Sequence, residues 1–201
     1  MTGHNRLALL AIFLLIATLG WVLLYWSPAV QTTLNLRERP RGGDFVLDSH
    51  AGPVSLQQFR GKVVALYFGY TQCPDVCPTS LGFLSLAVNE LSAEELAGFQ
   101  GLFVSVDPER DSLAHLQSYG AYFHPSILGI TGDKARLDPI VESYGAAYRK
   151  VESASAMGYL IDHSSETYLI DRNGVLAEVL AHGTPPVDLL AALRRLLAQP
   201  Q

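Results

Sequence analysis

The chain has almost no cysteine: two residues in 201, Cys73 and Cys77. Two thiols four positions apart cannot staple a small disulfide-bonded fold, so the pair reads as a site rather than a brace. Basic residues are also scarce, with 14 Lys and Arg against 19 Asp and Glu. A net charge of −5, with no basic stripe interleaved with aromatics, argues against a nucleic-acid partner. Neither an internal repeat nor a low-complexity tract is present. Charge is missing altogether from Leu7 to Trp26. At about 1.5 Å of rise per residue, that run spans the roughly 30 Å hydrocarbon layer of a bilayer.

One N-terminal transmembrane helix is therefore expected, with Trp21, Tyr25 and Trp26 at the headgroup interface. A cleaved signal peptide competes with it, but the apolar run is long and no small-x-small site follows it cleanly. Orientation is open at this point. Arg6 stands on one side and Arg37, Arg39 and Arg41 on the other, which counted literally leans toward a cytoplasmic domain, whereas a basic tip followed by an apolar run is how export signals begin. Residues 1–26 thus read as a membrane anchor, 27–43 as a polar linker and 44–199 as one domain.

Within that domain the pattern is α/β. Lys62 to Tyr70 reads as a fully buried strand, and Pro78 to Leu91 as a helix with Leu81, Leu84, Val88 and Leu91 on one face. Phe45–Asp48 and Pro53–Ser55 flank a turn, and Leu56–Phe59 forms a short turn of its own. Leu102–Val106 and Ile127–Ile130 are strands, while Ser112–Phe123 and Asp133–Tyr144 are helices, the second expected to be distorted at Asp138-Pro139. Glu152–Gly158 is a polar stretch. Thr167–Ile170 and Val175–Leu180 bracket Asp171-Arg172-Asn173-Gly174, a hairpin signal, and Val187–Leu197 closes the chain as an amphipathic helix. The expected fold is an α/β sandwich on a mixed central sheet.

The two cysteines fall where the central strand gives way to a helix. Pro78 suits an early helical position, so unpaired N–H groups of the first turn face the thiols and favour thiolate. A thiolate is both a nucleophile and a soft metal ligand, and the stretch alone does not choose between these chemistries. In an open α/β sheet, sites form at the carboxyl ends of the strands. Asp107 lies on that edge, and an antiparallel Thr167 strand beside the central one would bring Asp162 and His163 there too. His182 would reach the edge about one 4.8 Å strand spacing further out. His124 belongs at the opposite end, and His4, His50 and His115 read as surface or capping residues.

Three separated motifs carry a resemblance. Gly69-Tyr70-Thr71-Gln72-Cys73-Pro74-Asp75-Val76-Cys77-Pro78, then Val106-Asp107-Pro108-Glu109-Arg110-Asp111, then Asp162-His163-Ser164 before Tyr168-Leu169-Ile170, closely resemble the Sco/SenC family of membrane-anchored copper proteins. The resemblance covers about Gly43 to Leu197. It implies a thioredoxin-like fold, a domain facing the periplasm or mitochondrial intermembrane space, and copper as Cu(I) or Cu(II) bound by Cys73, Cys77 and His163. It further implies delivery of that copper to cytochrome c oxidase subunit II or another periplasmic copper protein, with a thiol reductant keeping the cysteines reduced. Asp107 and Asp162 are candidate acceptors to orient the imidazole, with a loop or helix cap as the competing reading of each. The loop from Val151 to Gly158, which in relatives can be longer and acidic, departs from the family pattern.

Two thiolates and an imidazole suit soft Cu(I), and the imidazole suits Cu(II), although zinc accepts the same donors. Met157, alone in a polar loop, is read as incidental. The rival function is a membrane-anchored thiol-disulfide oxidoreductase with Cys73 and Cys77 as its redox pair. Redox members of the thioredoxin fold usually space their cysteines by two residues and place a proline before the hairpin strand. Here the spacing is three, and no proline occurs between Pro139 and Pro185. A peroxidase is disfavoured as well, since nothing resembles the threonine-rich motif of peroxiredoxins.

Overall fold

Strand β3, Val63–Gly69, is the centre of the molecule because all seven of its residues are buried. A strand covered on both faces needs no polar alternation, and burying each of its larger side chains contributes about 1.5–3 kcal/mol. A computed structural model describes residues 12–21, 40–153 and 158–199. Around β3 lies a five-stranded sheet in the order β5-β4-β3-β8-β9, with β4 at Phe99–Ser105, β5 at Ile127–Ile130, β8 at Thr167–Ile170 and β9 at Leu176–Leu180. β4 and β5 run parallel to β3, whereas β8 and β9 run antiparallel. The mixed sheet expected from the sequence is thus formed.

Helices cover the sheet. α1 (Val76–Asn89) packs on α5 (Pro186–Leu197), while α3 (Leu113–Phe123) packs on β5. α1 contributes Cys77, Leu81, Leu84 and Val88 to the core, and α5 contributes Leu189, Leu193, Leu196 and Leu197. The N-terminal hairpin, β1 (Val46–Ser49) and β2 (Gly52–Ser55), joins β5 through a bridge between Asp48 and Thr131. α4 (Lys134–Ser143) continues through Pro139 as one helix, forgoing the bond that the missing N–H would make.

Two elements depart from the sequence reading. α2 (Ala93–Ala97) is a five-residue helix closed by a capping box: the Ser92 hydroxyl accepts from Glu95 N, and the Glu95 carboxylate accepts from Ser92 N. More consequential is a second small sheet, β6 (Tyr148–Glu152) paired antiparallel with β7 (Tyr159–His163), which lies outside the central sheet. Its connection includes residues 154–157, outside the described residues.

The described residues fall into two units, 12–21 and the domain that begins at Pro40. Residues 12–21 are helical, and no helix among the described residues is long and apolar enough to cross a membrane. The expected span, Leu7 to Trp26, extends beyond the described residues at both ends, and most of the 27–43 linker lies outside them.

Candidate metal centre

The thiols are positioned by the change from strand to helix. β3 ends on Gly69, where a Cβ would stand 2.6 Å from Cys77 Sγ and 2.9 Å from the Phe103 ring. Glycine there is what lets the helix bring Cys77 against the sheet. α1 begins at Val76, two residues earlier than its apolar period indicates, so Cys77 is its second residue and Pro78 its third. Asp75 occupies the cap position without a side-chain cap bond, and Pro78 has no N–H to leave unpaired. Cys77 is fully buried and Cys73 nearly so, and both are free thiols.

The histidine arrives from the other sheet. His163 is the last residue of β7, paired across from Tyr148. Its Nε2 lies 3.3 Å from Cys77 Sγ, and its Nδ1 lies 2.8 Å from the carbonyl oxygen of Ser164. A carbonyl only accepts, so Nδ1 carries a hydrogen toward Ser164 and Nε2 is the nitrogen that faces the thiols. Ser164 is held by reciprocal bonds with Ala147, its N–H donating to Ala147 O and its hydroxyl accepting from Ala147 N. The Tyr67 and Tyr70 rings meet the imidazole edge-on at 6.2 and 5.8 Å.

Cys73, Cys77 and His163 are the one group among the described residues whose donor atoms could hold a metal ion, all within 4.8 Å of one another. The thiols share a proton unequally. Cys73 is pulled down to about 4, chiefly by the hydrogen bond from the Cys77 thiol; burial opposes this, while His163 and the N–H groups of Cys77 and Asp75 assist. Burial pushes Cys77 up, and the neighbouring Cys73 thiolate adds to that push. For His163 burial disfavours the charged ring, but hydrogen bonding to Cys73 and to the Ser164 carbonyl outweighs it and raises the imidazole. A cavity of about 420 Å³ opens onto Cys73 and His163 between Tyr70, Pro74, Val76 and Ile161.

The Asp107–Asp111 motif ties the two carriers to the sheet. Asp111 is buried at the end of β4 and accepts from Thr71 N at 3.0 Å, the Thr71 hydroxyl at 2.6 Å and the Ser105 hydroxyl at 2.6 Å. Those bonds anchor the cysteine loop two residues before Cys73 and offset the cost of burying a carboxylate. In the sequence reading Asp111 stands only as the end of the second motif and is given no role.

Neither candidate aspartate bonds the imidazole. Asp162 is exposed and accepts from Arg149, directly across the hairpin, at 2.8 Å. Asp107 is buried and accepts from Arg110 Nε at 2.5 Å and from the Tyr159 hydroxyl at 2.8 Å. Alternation explains the first case: along β7, Asp162 and His163 point to opposite faces. His182 also goes elsewhere, with Nδ1 2.9 Å from Ser80 Oγ, and His124 sits beside Ser126 ahead of β5.

Residues 35–198 match the SCO1/SenC family. The mitochondrial SCO2 homolog of Bos taurus is 37% identical over 171 residues, 84% of this chain and 64% of that protein. This chain thus spans less than two thirds of that relative's length. The mitochondrial SCO2 homolog of Mus musculus is 35% identical over 205 residues, covering 97% of this chain and 79% of that one. Among solved structures, Bradyrhizobium japonicum ScoI with copper bound superposes with a TM-score of 0.69 at 35% identity, over 77% of this chain and 98% of that one. Through most of its length, including the elements that bear Cys73, Cys77 and His163, the chain belongs to the SCO1/SenC family.

Proposed function

We propose that this chain is a copper carrier that binds its cargo through Cys73, Cys77 and His163 and passes it to the binuclear copper centre of cytochrome c oxidase subunit II or to another periplasmic copper protein. The observation that carries the proposal is the convergence of two thiols and an imidazole, donor atoms within 4.8 Å, beside an open cavity. Copper bound to B. japonicum ScoI, a structure 35% identical to this chain, supports the choice of metal. Two thiolates suit Cu(I), and the imidazole broadens the set toward Cu(II).

The chain's own groups prepare the exchange. Cys73 presents a thiolate before metal arrives, whereas Cys77 and His163 compete with protons, so loading releases protons and weakens as pH falls. Three protein donors leave a position for a recipient's ligand, and the cavity beside Cys73 and His163 gives such a ligand access. The domain is proposed to face the periplasm or intermembrane space, tethered through Leu7–Trp26; a reporter fused after Gln201 that is active in the cytosol would refute that placement.

A second reading rests on the low pKa of Cys73 beside a second free thiol. In a reductase, the Cys73 thiolate attacks a partner disulfide and expels one partner thiolate. Cys77, losing its proton, then attacks the mixed disulfide and releases the reduced partner, leaving a Cys73–Cys77 disulfide and two electrons on the partner. Titration of the reduced chain with Cu(I) separates the two. The carrier binds one equivalent tightly and Cys73→Ala loses that binding, whereas catalytic disulfide reduction without copper retention would favour the reductase.

A further inference from the structure

Because β6 and β7 lie outside the central sheet, the contacts that fasten that hairpin to the cysteine loop bear on where His163 stands relative to the cysteines. Arg110 touches both hairpin and loop. Arg110, its side chain 15% exposed, donates through Nη1 to Gln72 Oε1 at 3.2 Å and to the Tyr159 carbonyl at 3.0 Å. Gln72 precedes Cys73, and Tyr159 opens the strand that His163 ends. The guanidinium also lies 3.5 Å from the Tyr159 ring centre and 5.6 Å from that of Tyr70, whose ring abuts His163 at 5.8 Å. Asp107 aims the fork, accepting from Arg110 Nε at 2.5 Å while its other oxygen accepts from the Tyr159 hydroxyl. A second ion pair between the same segments, Lys150 with Glu109, is exposed and contributes little.

We propose that Arg110 is a positioning residue for the metal centre, a guanidinium clasp that holds His163 in register with Cys73 and Cys77. The role needs arginine, since a planar fork reaches a carboxylate, an amide oxygen and a backbone carbonyl at once while stacking on a ring, and an ammonium does not. Arg110 itself approaches the site through Gln72, Tyr159 and Tyr70 and is not a ligand. Losing the clasp therefore acts on the imidazole rather than on the thiols.

This inference builds on the copper reading, and its test includes a metal-free measurement so that the two fail separately. In the reduced full chain without copper, NMR contacts between the His163 and Tyr70 rings are present, and they are expected to vanish in Arg110→Met. With Cu(II), Arg110→Met is expected to weaken binding about 10–100-fold and to shift the Cu(II) absorption and EPR spectra toward those of His163→Ala. Placed in a His163→Ala background, the same substitution should cost no further affinity. Arg110→Lys, which keeps the Asp107 pair and guards against loss of the fold, should also lose the ring contacts. Intact ring contacts in either variant, or a full additional loss in the His163→Ala background, would overturn the proposal. Should the wild-type chain retain no copper, the copper reading falls, and the ring contacts alone still decide the role of Arg110.

Discussion

The thiol half and the imidazole half of this site are built differently. Cys77 is part of the hydrophobic core, fully buried on a helix that packs against β3, whereas His163 sits on a two-stranded hairpin with largely polar outer residues. Apolar burial holds the first half. The second buries only Ile161 of its strand residues, with Tyr148 and Tyr159 half-buried against the core, and relies on side-chain bonds at its two ends: Tyr159 to Asp107 and Arg110, and Tyr148 to Asp138 at 2.7 Å, with Lys134 over the Tyr148 ring. Core packing yields only with global unfolding, while a segment fastened by a few polar contacts opens locally at lower free energy. The comparison teaches that the thiols are the fixed part of the site and the imidazole the adjustable part.

The largest effect that sharpens this contrast is within the thiol half itself. Sealed and protonated, Cys77 is expected to alkylate about a hundredfold more slowly than Cys73 in the reduced, metal-free protein. Cys73 has its folded pKa lowered, so its reaction rate should stay level at neutral pH and fall only as pH drops toward about 4. Mass spectrometry of iodoacetamide-treated protein across pH reads both quantities. Equal labelling of the two cysteines would place Cys77 outside the core.

A smaller effect separates the two halves directly. Gly69→Ala forces a Cβ against Cys77 Sγ and the Phe103 ring and should lower global stability by about 1–3 kcal/mol in urea denaturation. Tyr148→Phe removes only the exposed bond to Asp138, worth about 1 kcal/mol. Hydrogen exchange should then quicken a few-fold in β6 and β7 while β3 amides stay unchanged. Matching increases in both sheets would show that the hairpin and the core open as one unit and would break the comparison.

The same contrast marks what could be read from the sequence. β3 was legible because an unbroken apolar run admits few other interpretations, and Cys73, Cys77 and His163 were legible through motif order. The expected antiparallel placement of β8 beside β3 is observed, with Leu66 paired to Tyr168. The β6–β7 hairpin was not legible. Its strands read Tyr-Arg-Lys-Val-Glu and Tyr-Leu-Ile-Asp-His, and with Ile161 buried and only Tyr148 and Tyr159 packed beside it against the core, they lack the full apolar face that signals a strand. α2 spans too few residues to show a helical period, although its Ser92 and Glu95 capping box was there to find. Placement at the sheet edge did not reveal the partners of two aspartates. The partner of Asp162 is set by the cross-strand register with Arg149, and that of Asp107 by the return of Arg110 three residues later.

The central claim, that one site is assembled from a fixed dithiol and a separately held imidazole, is tested most directly by measuring Cu(I) affinity, Cu(II) affinity and disulfide formation side by side in wild type and His163→Ala. Removing one of three donors should weaken Cu(II) most, Cu(I) less, and leave formation of the Cys73–Cys77 disulfide unchanged, because thiol exchange needs only the two sulfurs. Wild-type affinity for both copper states in His163→Ala would contradict the account, since the histidine 3.3 Å from Cys77 Sγ would then not be part of the site.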